Sequence, residues 1–129
     1  MTRKAKILIV EDELILAMSM EKELARRGYQ VCESVSSGDE ALEKVKEEQP
    51  EIILLDCCLG SVTSGFEAAT RIRLVSDIPI VFMSGLNQED IADTINAIGG
   101  SAFLGKPFDP DALIRVIESS LATYHKQSL

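Results

Sequence analysis

An α/β fold built on a parallel sheet with helices on both faces is what this sequence predicts, on three observations. Short apolar runs alternate with helix-period segments five times along 129 residues. The segments joining consecutive apolar runs are too long for hairpins and of the right length for right-handed helical crossovers. The runs themselves are continuously apolar instead of alternating, the pattern of strands buried on both faces.

Taken in order, Ile7 to Val10 is the first strand and runs into three acids, Glu11, Asp12 and Glu13. Leu14, Ala17, Met18, Leu24 and Ala25 then recur at helical spacing, and Gly28 closes that helix. Gln30 to Glu33 around Val31 and Cys32 reads as a shorter strand near an edge. Ser37 and Glu40 have the spacing of a capping box, in which each satisfies the other's orphan backbone donor, and open a helix with Ala41, Leu42 and Val45 inward. Pro50 ends it.

Ile52 to Leu55 is the third strand, and Asp56 stands at its carboxyl end. An irregular loop over 57–63 follows. Ser64 and Glu67 repeat the capping-box pattern and open a helix with Phe66, Ala69 and Ile72 on one face. Ile80 to Met83 is the fourth strand and leads into Ser84-Gly85. Asn87 caps a helix with Ile91, Ile95 and Ile98 on its core face, stopped by Gly99-Gly100. Ala102 to Leu104 is the last strand and ends in Gly105-Lys106-Pro107. Asp109 and Pro110 supply an N-cap and first-turn proline for a helix with Leu113, Ile117 and Leu121 inward. The sequence is thus read as a single domain over 1–129, with its core over about 6–123 and a frayed polar tail over 125–129.

Composition narrows the function. Hydrophobic residues make up 46% and charged residues 26% of the chain, the balance of a globular protein in water. No apolar run approaches the ~20 residues of a membrane span, and the start has no signal-peptide pattern. A net charge of −8 disfavours direct nucleic-acid contact, which needs Lys and Arg to displace counterions from phosphates. Cys32, Cys57 and Cys58 fit neither a disulfide framework nor a zinc site, so a reducing cytoplasm is the expected setting.

Function is carried by the strand ends, because in open parallel sheets ligands collect outside the carboxyl ends of the strands. Glu11 and Asp12, Asp56, Ser84 and Lys106 leave strands one, three, four and five. If strands one and three are central neighbours, these groups share one pocket. Three carboxylates at one rim repel each other unless a cation sits among them, and hard oxygen donors favour Mg²⁺ over zinc. With a hydroxyl and a lysine added, the set suits a phosphoryl group, and Asp56 becomes the candidate acceptor.

Four stretches in order resemble a known family. They are Ile7-Leu8-Ile9-Val10-Glu11-Asp12, Ile53-Leu54-Leu55-Asp56, Met83-Ser84-Gly85 and Ala102-Phe103-Leu104-Gly105-Lys106-Pro107. From about Lys6 to about Thr123 the chain resembles the receiver domain of two-component response regulators. The resemblance implies a flavodoxin-like (βα)5 fold, doubly wound, with strand order 2-1-3-4-5.

It further implies that Glu11, Asp12, Asp56 and the backbone carbonyl of Cys58 hold Mg²⁺. Asp56 accepts a phosphoryl group from a phosphohistidine on a sensor histidine kinase or a histidine phosphotransfer protein, and Lys106 pairs with the carboxylate and then with the phosphoryl oxygens. Ser84 and Phe103 are the implied switch, moving the surface of helix four, strand five and helix five toward a downstream partner or an output domain missing from this chain. Such a domain is no conventional enzyme, although it catalyses its own phosphorylation and contributes to its own dephosphorylation. The Lys106–Pro107 peptide is the family's usual place for a cis bond.

The chain departs from the pattern behind Asp56. Gly60 stands where many receivers carry proline, and Gly65 comes nine residues after the acceptor instead of about eight, so the 59–64 loop is read as carrying one extra residue. Cys57 and Cys58 follow the acceptor directly, and Phe103 lacks the hydroxyl of the more usual tyrosine. His125 and the charged helix faces are read as solvated surface.

Three alternatives compete. A binding module of the same fold working without phosphorylation has no need for the clustered charges. A flavodoxin-like flavin protein needs a phosphate loop where Glu11-Asp12-Glu13 stands. An aspartate-nucleophile phosphatase needs D-x-D after strand one, which Asp12-Glu13-Leu14 does not supply.

Overall fold

In the computed structural model, which describes residues 4–59, 65–85 and 88–127, five parallel strands form one sheet in the order β2-β1-β3-β4-β5. The elements alternate along the chain as β1 (Lys6–Val10), α1 (Leu14–Arg26), β2 (Gln30–Val31), α2 (Gly38–Glu48) and β3 (Ile52–Asp56). They continue as α3 (Gly65–Arg73), β4 (Ile80–Ser84), α4 (Gln88–Ile98), β5 (Ser101–Gly105) and α5 (Pro110–Gln127). The flavodoxin-like order is the one the resemblance implies, with β2 short and at an edge. Among the described residues no helix is long and apolar enough to cross a membrane.

Buried strands explain the continuous apolar runs. Every residue of β3 and β4 is buried, and so are the last four of β1. Because successive side chains point to opposite faces, the strands divide between two cores. Leu8, Val10, Ile53, Leu55, Ile80 and Phe82 pack under Ala41 and Val45 of α2, Ala69 and Ile72 of α3, and Ile91 and Ile95 of α4. Ile7, Ile9, Ile52, Leu54, Val81, Met83 and Leu104 pack under Ala17, Met20 and Leu24 of α1 and Leu113, Ile114 and Ile117 of α5.

The helix ends follow local chemistry. Ser37 Oγ accepts from the Glu40 amide at 3.2 Å, the first arm of the expected capping box. The second arm differs, since the Glu40 carboxylate accepts from the hydroxyls of Ser37 and Ser36 at 3.0 and 3.3 Å. Asp109 caps α5 by accepting from the Ala112 amide at 2.8 Å. Gly28, Gly99 and Gly100 take positive φ where α1 and α4 end. Ser64 and Asn87, expected caps of α3 and α4, lie outside the described residues.

Two sequence expectations are corrected. On α1 the core face is Ala17, Met20 and Leu24, whereas Leu14 is 70% exposed, Met18 47% exposed and Ala25 also exposed. Apolar residues occupy two stripes of this helix, and spacing alone does not say which one meets the sheet. The tail from 125 is not frayed at once, because α5 runs on to Gln127. Tyr124 anchors that end, its hydroxyl donating to Asp77 Oδ1 at 2.9 Å.

Candidate functional site

Parallel register brings the predicted groups together. Ile7 to Val10 pair with Ile52 to Leu55, so Glu11 leaves β1 beside Asp56 at the end of β3. Asp56 pairs in turn with Met83, and Ser84 with Gly105, which sets Lys106 next along the rim. Carboxylate oxygens of Glu11, Asp12 and Asp56 lie within 4.8 Å of one another. Glu11 and Asp56 are buried, at 2% and 5% exposure, while Asp12 is open to solvent.

Lys106 is the cation of this cluster. Its Nζ donates to Glu11 Oε1 at 2.8 Å, lies 3.4 Å from Asp56 Oδ2 and is 4.0 Å from Glu13 Oε2. Burial pulls the lysine pKa down, but the Glu11 hydrogen bond and the Asp56 charge outweigh it and the net shift is upward. One ammonium does not balance the acids. Burial pushes the Glu11 carboxyl up to about 7, with Asp56 adding to the rise, against the hydrogen bonds from Lys106 and the Glu13 amide. An all-oxygen donor set in which burial and a neighbouring acid push one carboxyl upward fits a hard cation.

The backbone fixes Asp56 from behind. Its Oδ1 accepts from the Cys58 amide at 3.0 Å, two residues on. The Cys57 amide donates to the Met83 carbonyl at 2.9 Å, and the Cys57 carbonyl accepts from the Gly65 amide at 3.1 Å. Gly65 presses closely on this peptide, because a Cβ added there would lie 2.0 Å from the Asp56 carbonyl oxygen and 2.9 Å from Cys57 Cα. The lysine peptide is tied in as well, with Lys106 N–H donating to the Ser84 carbonyl at 2.7 Å and the Lys106–Pro107 bond cis, as the resemblance implied.

Ser84 and Cys57 are both buried, each at 2% exposure. Burial pushes the Cys57 thiol up to about 12, with Cys58 and Asp56 adding to the rise and the nearby Ser84 hydroxyl opposing it. Phe103 stands apart from the acidic rim. It pairs in register with Phe82 and packs, half-buried, against the core beneath α2, α3 and α4. Cys58 is exposed and Cys32 buried, and all three cysteines are free.

The rim therefore gathers Glu11, Asp12, Asp56 and Lys106 as the sequence predicts and sets Ser84 beside them, with Phe103 outside. Three features were missed. That Cys57 and Ser84 share one face of the sheet was legible only as a hint, through strand alternation. Gly65 was noted for its spacing, but its contact with the acceptor peptide depends on how α3 docks. The exposed row of Leu14, Ile15 and Met18 on α1, at 70%, 84% and 47% exposure, includes two residues, Leu14 and Met18, that carry the spacing of the core stripe.

Comparison with known proteins places this arrangement. A family model described as the response regulator receiver domain matches residues 7–118. The transcriptional regulatory protein YvrH of Bacillus subtilis is 36% identical over 119 residues, covering 91% of this chain and 49% of its own length. The chain spans about half the length of the curated relatives it matches.

Among solved structures, the N-terminal domain of a response regulator/sensory box/GGDEF three-domain protein from Carboxydothermus hydrogenoformans superposes with a TM-score of 0.86 at 30% identity, over 96% of this chain and 99% of that one. The chemotaxis protein CheY4 of Vibrio cholerae superposes at 0.84 with 28% identity, over 90% and 98%. On the family match, the strand order and the acidic rim together, the chain belongs to the response regulator receiver domain family, whose setting is two-component signalling.

Proposed function

We propose that this receiver domain accepts a phosphoryl group on Asp56 and converts that charge event into a change of its α4–β5–α5 surface. The observation that carries the reading is the cluster itself, three carboxylates within 4.8 Å of one another with Lys106 Nζ at 2.8 Å from one and 3.4 Å from another. A solely structural rim gains nothing from burying two acids side by side.

Asp56 is the nucleophile. One of its oxygens bonds to phosphorus while the bond from phosphorus to a histidine nitrogen of a sensor kinase or phosphotransfer protein breaks, and the leaving imidazole nitrogen takes up a proton. Glu11, Asp12 and Asp56, with the backbone carbonyl of Cys58, are the residues that hold Mg²⁺. When bound, Mg²⁺ supplies positive charge against the developing oxyanions. Lys106, already within reach of Asp56, turns its ammonium to the incoming phosphoryl oxygens. The Cys58 amide keeps the second carboxylate oxygen occupied and so orients the first.

After transfer the new oxygens need donors. Ser84 supplies one, and its movement frees space toward which Phe103 can turn, so that α4, β5 and α5 settle in a second arrangement. The exposed Leu14, Ile15 and Met18 lie on the helix that begins three residues after Glu11 and present an apolar landing for the phosphodonor protein. The chain serves in the cytoplasm, as one domain, toward a downstream protein or an output domain. Its net charge of −8 leaves nucleic-acid contact to such partners.

Incubation with a small acyl phosphate and Mg²⁺ should add one phosphoryl group to the wild type and none to Asp56→Asn, read by intact mass. Labelling of Asp56→Asn to the wild-type level would remove Asp56 from its role. Partner binding indifferent to both the variant and the donor would favour the phosphorylation-independent module instead.

A further inference from the structure

We propose that Arg73 is the pin of helix α4, fixing its C-terminal end to α3 at the end of the sheet opposite Asp56, so that switching turns α4 about that end instead of shifting it whole. The inference rests on the proposed response of the α4–β5–α5 surface to phosphorylation of Asp56.

A helix end leaves carbonyls that need donors. The last turn of α4 contains no basic residue of its own, and the cation that serves it is the C-terminal residue of α3. Arg73 Nη2 donates to the Gly99 and Gly100 carbonyls at 3.1 and 2.9 Å, and its Nε donates to Gly99 at 3.2 Å. Its Nη1 donates to the Ser76 carbonyl at 3.3 Å, so one half-buried guanidinium joins the exits of both helices. A planar fork of N–H donors serves three carbonyls at once, as a lysine ammonium at the same place would not. Gly99 and Gly100 form a left-handed turn, with φ of 73° and 59°, and a Cβ at Gly100 would lie 2.9 Å from Nη2. The turn is seated directly on the guanidinium.

The same end is tied on two further sides. Ser101 Oγ donates to the Ile95 carbonyl at 2.8 Å, and the Ile80 amide donates to the Gly100 carbonyl at 3.2 Å. Ile80 opens β4 and Ser84 closes it, so the pin and the proposed switch hydroxyl sit at opposite ends of one strand, about 13 Å apart. Helix α4 covers a similar distance, about 16 Å, and starts four residues after Ser84. Movement at Ser84 therefore reaches the first turns of α4, while its exit is held by three groups. Ile91 and Ile95 are buried in the core that Phe103 packs against, and Ile98 packs there at the pinned end. A helix driven at one end and fastened at the other pivots.

The test follows amide resonances and amide hydrogen exchange of the whole chain, with and without the phosphoryl mimic fluoroberyllate and Mg²⁺. In wild type the mimic should shift the Ile91 and Asp93 resonances. It should leave exchange at the Gly99 and Ile80 amides, donors to Ile95 and Gly100, within about twofold. Arg73→Lys keeps the charge and an apolar stem but loses the fork. In that variant the mimic should speed exchange at Gly99 and Ile80 about tenfold, the weight of one charged hydrogen bond. Arg73→Gln, which also loses the charge, should show at least the same spread.

Faster exchange in both variants by the same factor with and without the mimic makes Arg73 a helix cap only and overturns the inference. A wild type in which the mimic moves Gly99 and Ile80 as much as Ile91 overturns it too, and so do variants whose response stays within the first turns of α4. Those results leave Asp56 untouched as long as wild type binds the mimic and Asp56→Asn does not. Binding with no change in α4 overturns the proposed switch surface, and a wild type that binds no fluoroberyllate overturns the phosphoacceptor reading; the inference falls with either.

Discussion

The two sides of the sheet carry different halves of the site. Glu11, Asp56 and Lys106 continue the alternation of the residues that pack toward α1 and α5, and they meet in one ion cluster. Ser84, Cys57 and Phe103 continue the alternation that packs toward α2, α3 and α4, and they are a hydroxyl, a thiol and an aromatic ring. Charge is concentrated on one side, and uncharged polar or apolar groups lie on the other. A period of two thus separates the proposed acceptor from the proposed switch residues. Asp56 and Cys57 are adjacent in the chain, and their shared peptide is where the sides meet.

That junction is the place for the largest effect. In Gly65→Ala the new methyl would meet the Asp56 carbonyl oxygen at 2.0 Å and the Cys57 Cα at 2.9 Å, all backbone atoms with strand hydrogen bonds on either side. The variant should lose about 3 kcal/mol of stability in urea unfolding, an overpacking cost, and label poorly at Asp56 even where folded. A loss under about 0.5 kcal/mol would mean that α3 moves aside freely and that the two sides are not joined through this peptide.

A smaller effect isolates the charged side. Glu11 has its pKa raised from 4.5 to about 7 by burial and by Asp56, so between those values the folded state binds more protons than the unfolded. Its contribution to stability is complete below 4.5 and is lost as pH rises through 7. The paired Glu23 has a lowered pKa and acts in the opposite sense only below its ordinary value, outside that window.

In chelator, the thermal midpoint should therefore rise by about 4 °C from about pH 8 to about pH 5.5, a figure discounted for solvent screening. Saturating Mg²⁺ should flatten this slope, because a bound cation replaces the proton. A midpoint that is level or falling over the same range in chelator would mean that Lys106 alone balances the acids.

The sequence made the charged side legible and the other side only partly so, for a physical reason. A buried acid directly after an apolar run is a costly placement, and two of them, Glu11 and Asp56, with a lysine at a third strand exit, point to a site before any geometry is known. The strand order then follows from the resemblance, and the register places Lys106 against Glu11 across 95 residues. A hydroxyl or a thiol at a strand end is cheap, so Cys57 and Ser84 carry no comparable signal, and Cys57 is pinned by β4 and α3 through backbone bonds to Met83 and Gly65. The apolar residues of α1 were misread for the opposite reason. Leu14, Ala17 and Met18 share the helical period of a core stripe, yet only Ala17 meets the sheet.

That misreading marks the least effect on stability and a distinct effect on function. Ile15 is 84% exposed, so Ile15→Ser removes no buried contact and should leave the urea midpoint within about 0.5 kcal/mol of wild type. Helix α1 lies on the same side of the sheet as the ion cluster, and Glu13, its N-cap, has a carboxylate oxygen 4.0 Å from Lys106 Nζ. On the proposed reading, a phosphodonor protein reaching Asp56 from that side would cover Leu14, Ile15 and Met18. Transfer from a phosphohistidine protein should then slow about fivefold in Ile15→Ser, the loss of one apolar contact at an interface, while labelling by a small acyl phosphate stays at the wild-type rate. Equal slowing with both donors would place the effect inside the acceptor site, and no slowing with either would leave the apolar row to another partner.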